Sequence, residues 1–111
     1  MKKSNIFAYI ELLKLVDELK EAAANDKLKE KLKAQAAYFN IIEPRHFSEP
    51  LIPEWEAILA VSKQKGPVVD QEGKVISNAI SNTIDGFTNK ECQILADQIY
   101  TLFEKVKKEF Q

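Results

Sequence analysis

Residues 88–110 read TNKECQILADQIYTLFEKVKKEF, and the spacing within this stretch decides the fold class. Thr88 and Glu91 have the form of a capping box. The Thr88 hydroxyl can accept from the Glu91 amide while the Glu91 carboxylate returns to the Thr88 amide, so two donors left free at a helix start are satisfied. Phe87, one residue earlier, can staple onto Cys92. Cys92, Leu95, Ala96, Ile99, Leu102, Phe103, Val106 and Phe110 then recur at intervals of three and four, which puts them on one face of a helix. Lys105, Lys107 and Lys108 set positive charge at the negative end of its dipole. Ile94 falls on the polar side, where an apolar residue more often stands alone than meets another chain.

Working toward the N-terminus, Val75, Ile76, Ala79, Ile80, Thr83 and Ile84 share one face of a helix predicted from about 74 to 85, with Gly86 placed to end it. Residues 68–76 read either as a loop leading into that helix, which is slightly favoured, or as a short β-hairpin. Pro53 suits the first turn of a helix carrying Trp55, Ile58 and Leu59, closed by Gly66-Pro67. Between 40 and 54, Pro44, Pro50 and Pro53 break any regular element. The apolar Ile41, Ile42, Phe47, Leu51 and Ile52 nevertheless require this irregular connection to pack onto something.

The first forty residues read as a helical hairpin. Over 5–24, Ile6, Tyr9, Leu12, Leu13, Val16, Leu19 and Ala23 form an apolar arc widened by Ala8, Leu15 and Ala22. That arc covers about half the circumference, more than one neighbour needs. Asn25 suits a left-handed helix end and Asp26 an N-cap for a second helix over 27–39, whose stripe is Leu28, Leu32 and Phe39. Lys27, Lys29, Lys31 and Lys33 diverge around that helix with no aromatic residues between them, as on a solvated face.

The whole chain fits this reading. Its 111 residues, 45% hydrophobic and 30% charged, suit a single helical domain over 1–111. The predicted fold is all-α: a compact bundle of four to five helices, the first and last at its centre, with the proline-rich connection across one side. Sixteen Lys and Arg against seventeen Asp and Glu give a net charge of −1, which disfavours nucleic-acid and membrane partners. Glu11 and Lys14 interrupt the apolar run that a signal peptide needs, and the single Cys92 cannot form an intramolecular disulfide, so a cytoplasmic location is expected.

Chemical motifs are sparse. One His and one Cys do not make a zinc site, and Asp70-Gln71-Glu72-Gly73 has the wrong spacing for a calcium loop, so no metal is expected. Gly66, Gly73 and Gly86 are scattered, so no phosphate-binding loop and no cofactor is expected. Cys92 reads as a small core residue. The turn before 88 has a helix-turn-helix outline, but Asn89, Lys90, Gln93 and Asp97 are a thin set for reading DNA.

The expected function is a non-catalytic protein-protein interaction module: an adaptor, an inhibitor or an immunity-type protein. Its partner would be another protein, and a homo-oligomer is compatible with the sequence. The candidate binding residues are Arg45, His46, Phe47 and Trp55, gathered where an irregular segment is held on a rigid scaffold. A plainer reading, slightly ahead, puts Phe47 and Trp55 in the core and Arg45 and His46 in water. The alternative class is a small-ligand binder or enzyme with a pocket near His46, served by Glu43, Glu49 and Glu54. The capped helix pair from Ile76 to Val106 is similar in layout to the bacteriocin immunity proteins, which implies a small charged bacterial helical bundle. The proline-rich middle and the Trp55 helix depart from that plan, which makes the likeness one of layout.

Overall fold

In the computed structural model the described residues are 3–24, 26–64, 68–69, 71–73, 75–77 and 79–110. Six α-helices dominate them: α1 (Lys3–Ala24), α2 (Leu28–Ala34), α3 (Tyr38–Ile41), α4 (Ile52–Ser62), α5 (Ala79–Asp85) and α6 (Asn89–Lys108). The chain is all-α in class, with more helical segments than the four to five expected. One core serves them all, and α1 against α6 is its most extensive contact.

The anchor of the fold is α6. Its capping box is formed as the sequence requires: the Glu91 amide donates to Thr88 Oγ1 at 3.1 Å and the Thr88 amide to Glu91 Oε1 at 3.0 Å. Cys92, Leu95, Ala96, Ile99, Leu102, Phe103 and Val106 are all buried, and Phe87 is buried beside them. Against this face α1 buries Ala8, Leu12, Leu15, Val16 and Leu19, and Tyr9 stacks on Phe103 and Phe110 with ring centroids 5.7 and 4.9 Å apart. Each fully buried Leu or Ile contributes about 1.5–3 kcal/mol relative to exposure. These two long helices therefore set the frame on which the shorter ones dock.

The α1–α2 corner differs from expectation in one residue. Asp26 takes the left-handed backbone, with φ 59°, and Lys27 stands at the N-cap with no side-chain cap. Asp tolerates φ > 0 better than most residues, and its use in the turn removes it as a cap. Asn25 lies outside the described residues.

The helix expected over 27–39 is divided. Ala36, Tyr38 and Phe39 donate to carbonyls three residues back, so the chain tightens between α2 and α3. That tightening lets Ala36 and Phe39 reach the core along with Leu28 and Leu32. The proline-rich connection then runs through two 3-10 turns, Pro44–His46 and Glu49–Leu51. It is pinned inward by Ile42, Phe47 and Leu51, all buried.

The helix expected from about 74 begins only at Ala79. Val75–Ser77 is extended and lies antiparallel to Val68–Val69, with an irregular register between Val68 and Val69. Val and Ile lose χ1 freedom in a helix and fit an extended backbone well, which overrides the periodicity there. Gly73, with φ 82°, sits in the connection between them. The Gly66-Pro67 stop lies outside the described residues.

α5 is held through its C-terminal end. Lys29 Nζ donates to the carbonyl oxygens of Asp85 at 2.8 Å and Phe87 at 3.0 Å, and Lys33 pairs with Asp85. Two of the four lysines of the second helix thus serve an orphaned helix end.

α4 lies antiparallel to α6. Glu54, at the start of α4, bonds Lys105 near the end of α6, while Val61 and Gln64 at the other end lie by Phe87 and Glu91. This arrangement leaves a shallow trough between the two helices.

Candidate functional site

The candidate binding segment is built from the inside out. Trp55 is fully buried: its indole N–H donates to the Ile42 carbonyl at 2.8 Å, and its ring stacks on Phe39 at 6.0 Å and leans against Phe47 at 5.5 Å. Phe47 is buried as well. These two aromatics tie the proline-rich connection to α4 and are not presented to a partner. Arg45 is exposed and its Nε donates to Glu43 Oε2 at 3.0 Å.

His46 falls between these cases. Only 8% of its surface is exposed, its ring lies 4.5 Å from the Phe7 ring, and its Nδ1 accepts the Glu43 backbone N–H at 2.9 Å. Nδ1 is therefore the unprotonated nitrogen in the neutral form, and Nε2 carries the hydrogen. The segment brings Arg45, His46, Phe47 and Trp55 into one neighbourhood, yet most of it is spent on holding the fold together. Of the carboxylates considered near His46, Glu43 is engaged by Arg45 and Glu54 by Lys105.

This geometry gives His46 a measurable pH signature. Burial, assisted by the Arg45 charge and opposed by Glu43, pushes its pKa below the ordinary 6.5. A depressed folded pKa means that the neutral imidazole stabilises the fold fully above the unfolded value, and that this contribution fades as pH falls through the folded one. Hydrogen bonding from the Arg45 guanidinium holds the Glu43 carboxyl below its usual 4.5, so its own contribution fades only in more acidic solution. Thermal melts are expected to drop as pH falls from about 7 to about 5. His46→Asn, whose Oδ1 can take the same backbone N–H, is expected to lose part of that dependence. A wild-type melting point flat across the interval would contradict the burial of a neutral imidazole.

A different surface has the shape of a binding site. Two hollows of about 370 and 260 Å³ lie in the trough between α4 and α6 and share Ile94 and Gln98 as their common border. Glu54, Ala57 and Ile58 from α4 face Asp97 and Thr101 from α6 in the first. The second is lined by Val61 and Gln64 on one side and Phe87, Glu91 and Leu95 on the other. Ile94 stands on the border with 50% of its surface exposed. The groove floor is apolar, and among the described residues lining either hollow none is Lys or Arg.

Three carboxylates rim the groove, with different partners. Glu54 is neutralised by Lys105. Asp97 accepts from Gln93 Nε2 at 2.9 Å and Glu91 from the Thr88 backbone N–H, both neutral donors. Negative charge therefore stays on the α6 side of the trough. Of these residues the sequence singled out Ile94, on the polar side of its helix. The small Ala57 opposite is the further signal that a hollow forms there, because a long side chain at that position would fill it.

A second apolar surface lies on α1. Ile6, Ile10 and Leu13 are exposed, and at 100° per residue they share a stripe about 60° wide, on the side away from Leu12 and Leu15. The broad apolar arc read from the sequence thus has two sides, one in the core and one in water. The stripe is convex, and Phe7 at its edge leans on His46.

Other features bear on chemistry. Cys92 is buried, and burial pushes its thiol up from the ordinary value, which suits packing rather than reactivity. Among the described residues no group of three His, Cys, Asp or Glu side chains could hold a metal ion, and no helix is long and apolar enough to cross a membrane. Compared with known proteins, the chain matches no family model, no curated protein and no solved structure.

Proposed function

We propose that this chain is a non-catalytic interaction module that seats a segment of a partner protein in the groove between α4 and α6. The observation that supports this reading is Ile94. It is a large β-branched side chain, half exposed, on a helix whose other large aliphatic residues are buried. It stands where the two hollows meet. Covering it and the floor beside it removes apolar surface from water at about 25 cal/mol per Å², with little conformational cost because both walls are helices. A concave trough in which apolar side chains alternate with polar ones also orients a ligand, which the convex stripe on α1 does not. Adaptor, inhibitor and immunity-type roles all work by such occupation of a surface.

A peptide-display selection on the full chain, with Ile94→Lys as the counter-selected variant, tests the reading. Enrichment of peptides whose affinity falls at least about 30-fold on Ile94→Lys is expected, the scale of a central hot spot. Peptides that bind the variant as well as the wild type would place recognition elsewhere.

A further inference from the structure

We infer that the groove takes a basic amphipathic helix: a partner segment with apolar anchors at positions i and i+7, a small residue between them, and Lys or Arg along the edge that meets α6. This inference rests on the groove being the docking surface and adds the chemistry of its occupant.

The length of the trough sets the register. From Glu91 to Thr101 it follows α6 for ten residues, about 15 Å at 1.5 Å per residue, which matches roughly three turns of a docked helix. Apart from the shared Ile94 and Gln98, the hollows are lined on α6 by Glu91 and Leu95 in one and by Asp97 and Thr101 in the other, so their centres lie about six residues apart. That separation, about 9 Å, is nearer the spacing of positions i and i+7 on one face of a helix, about 10.5 Å, than that of i and i+4, about 6 Å. Ile94 rises between them, so the residue of the partner that crosses it must be small, such as Ala, Gly or Ser.

The charge of the lining sets the sign of the partner. With Glu54 paired to Lys105, the groove keeps Glu91 and Asp97 on its α6 side, and none of the described residues lining it is Lys or Arg. The protein itself shows how such a carboxylate is satisfied: Lys105 reaches from the end of α6 to Glu54. Glu91 and Asp97, which among the described residues accept from a backbone amide and a side-chain amide, offer the same arrangement to incoming lysines or arginines. An acidic helix would bring like charges together. A second copy docking groove to groove would do the same, because a two-fold contact sets each rim against its equivalent or a neighbour of the same sign.

Three stapled helical peptides with the same i and i+7 Leu anchors and a central Ala, but with Lys, Gln or Glu on the flanks, separate the contributions. Affinity for the full chain is read by fluorescence anisotropy at low and moderate salt. The Lys peptide is expected to bind at least about tenfold tighter than the Glu peptide, with the gap narrowing as salt rises. Asp97→Asn should reduce that gap about threefold while leaving the Gln peptide unaffected, and Ile94→Lys should weaken all three. Equal binding of the Lys and Glu peptides, or preference for Glu, would overturn the assignment of a basic partner while leaving the groove in place. Binding of all three that ignores Ile94→Lys, or no binding by any of them together with a display selection that yields no Ile94-dependent peptide, would overturn the groove as well.

Discussion

Trp55→Ala is expected to destabilise the protein by about 3–5 kcal/mol, since Trp55 is the largest fully buried side chain among the described residues. The indole is fully buried and packs against Phe39 and Phe47, so its loss leaves a cavity bounded by two further aromatic rings. It also leaves the Ile42 carbonyl without the indole N–H, in a connection whose prolines already limit the supply of backbone donors. A domain of this size has about 5–15 kcal/mol in total, so the melting point should fall by roughly 15 °C. Trp55→Phe keeps most of the stacking and loses the hydrogen bond, and should cost about 1–3 kcal/mol. Denaturant titration of the three proteins measures the series directly. A Trp55→Ala protein within 1 kcal/mol of wild type, by order of magnitude, would mean that the indole is not the pin between the 40–51 connection and α4.

Placing a carboxylate at two positions five residues apart on α6 should give opposite results. Ile99 is fully buried and Ile94 is 50% exposed. Ile99→Asp puts a charge among aliphatic side chains, a loss that exceeds about 4 kcal/mol and approaches the whole stability of the fold. Ile94→Asp leaves its charge in water and should change stability by less than about 0.5 kcal/mol. Circular dichroism is the readout: Ile99→Asp should lose helical signal or fail to accumulate as soluble protein, and Ile94→Asp should melt with the wild type. Similar behaviour of the two would mean that the faces of α6 are assigned incorrectly, and with them the groove.

The parts of the fold legible in the sequence were those in which local and tertiary demands agree. α6 is the clearest case: cap, staple, apolar period and terminal lysines all specify one helix, and of the residues expected on its inner face all are buried but Phe110, which lies past the helix end and is half-buried. The inward packing of the proline-rich connection was legible for the same reason: Ile42, Phe47 and Leu51 are buried and Ile52 packs partly against them, while Ile41, expected with them, is exposed. Periodicity failed where two demands compete. Val75 and Ile76 fit the apolar face of a helix by position but an extended chain by side-chain shape, and the extended form prevails. Leu28, Leu32 and Phe39 fit one continuous stripe, yet the tight turns after Lys33 divide it.

The candidate site was legible only in fragments. Arg45, His46, Phe47 and Trp55 do lie in one neighbourhood, but a sequence does not show which face of an aromatic residue is covered. Trp55 is covered on all sides. The groove depends on the pairing of α4 with α6, a contact between residues about forty positions apart that leaves no local pattern. Ile94 was its one visible sign, because an apolar residue on a polar face stands out against the period of its own helix. Ala57, Gln98 and Thr101 acquire meaning only when the two helices are side by side.

Backbone amide shifts of the isotope-labelled full chain, followed during titration with the Lys-flanked peptide, test the docking surface most directly. The groove predicts shifts concentrated at Ala57, Ile58, Ile94, Gln98 and Thr101, with Ile6, Ile10 and Leu13 unmoved. Shifts confined to the α1 stripe, with the α4 and α6 amides unchanged at saturation, would contradict it.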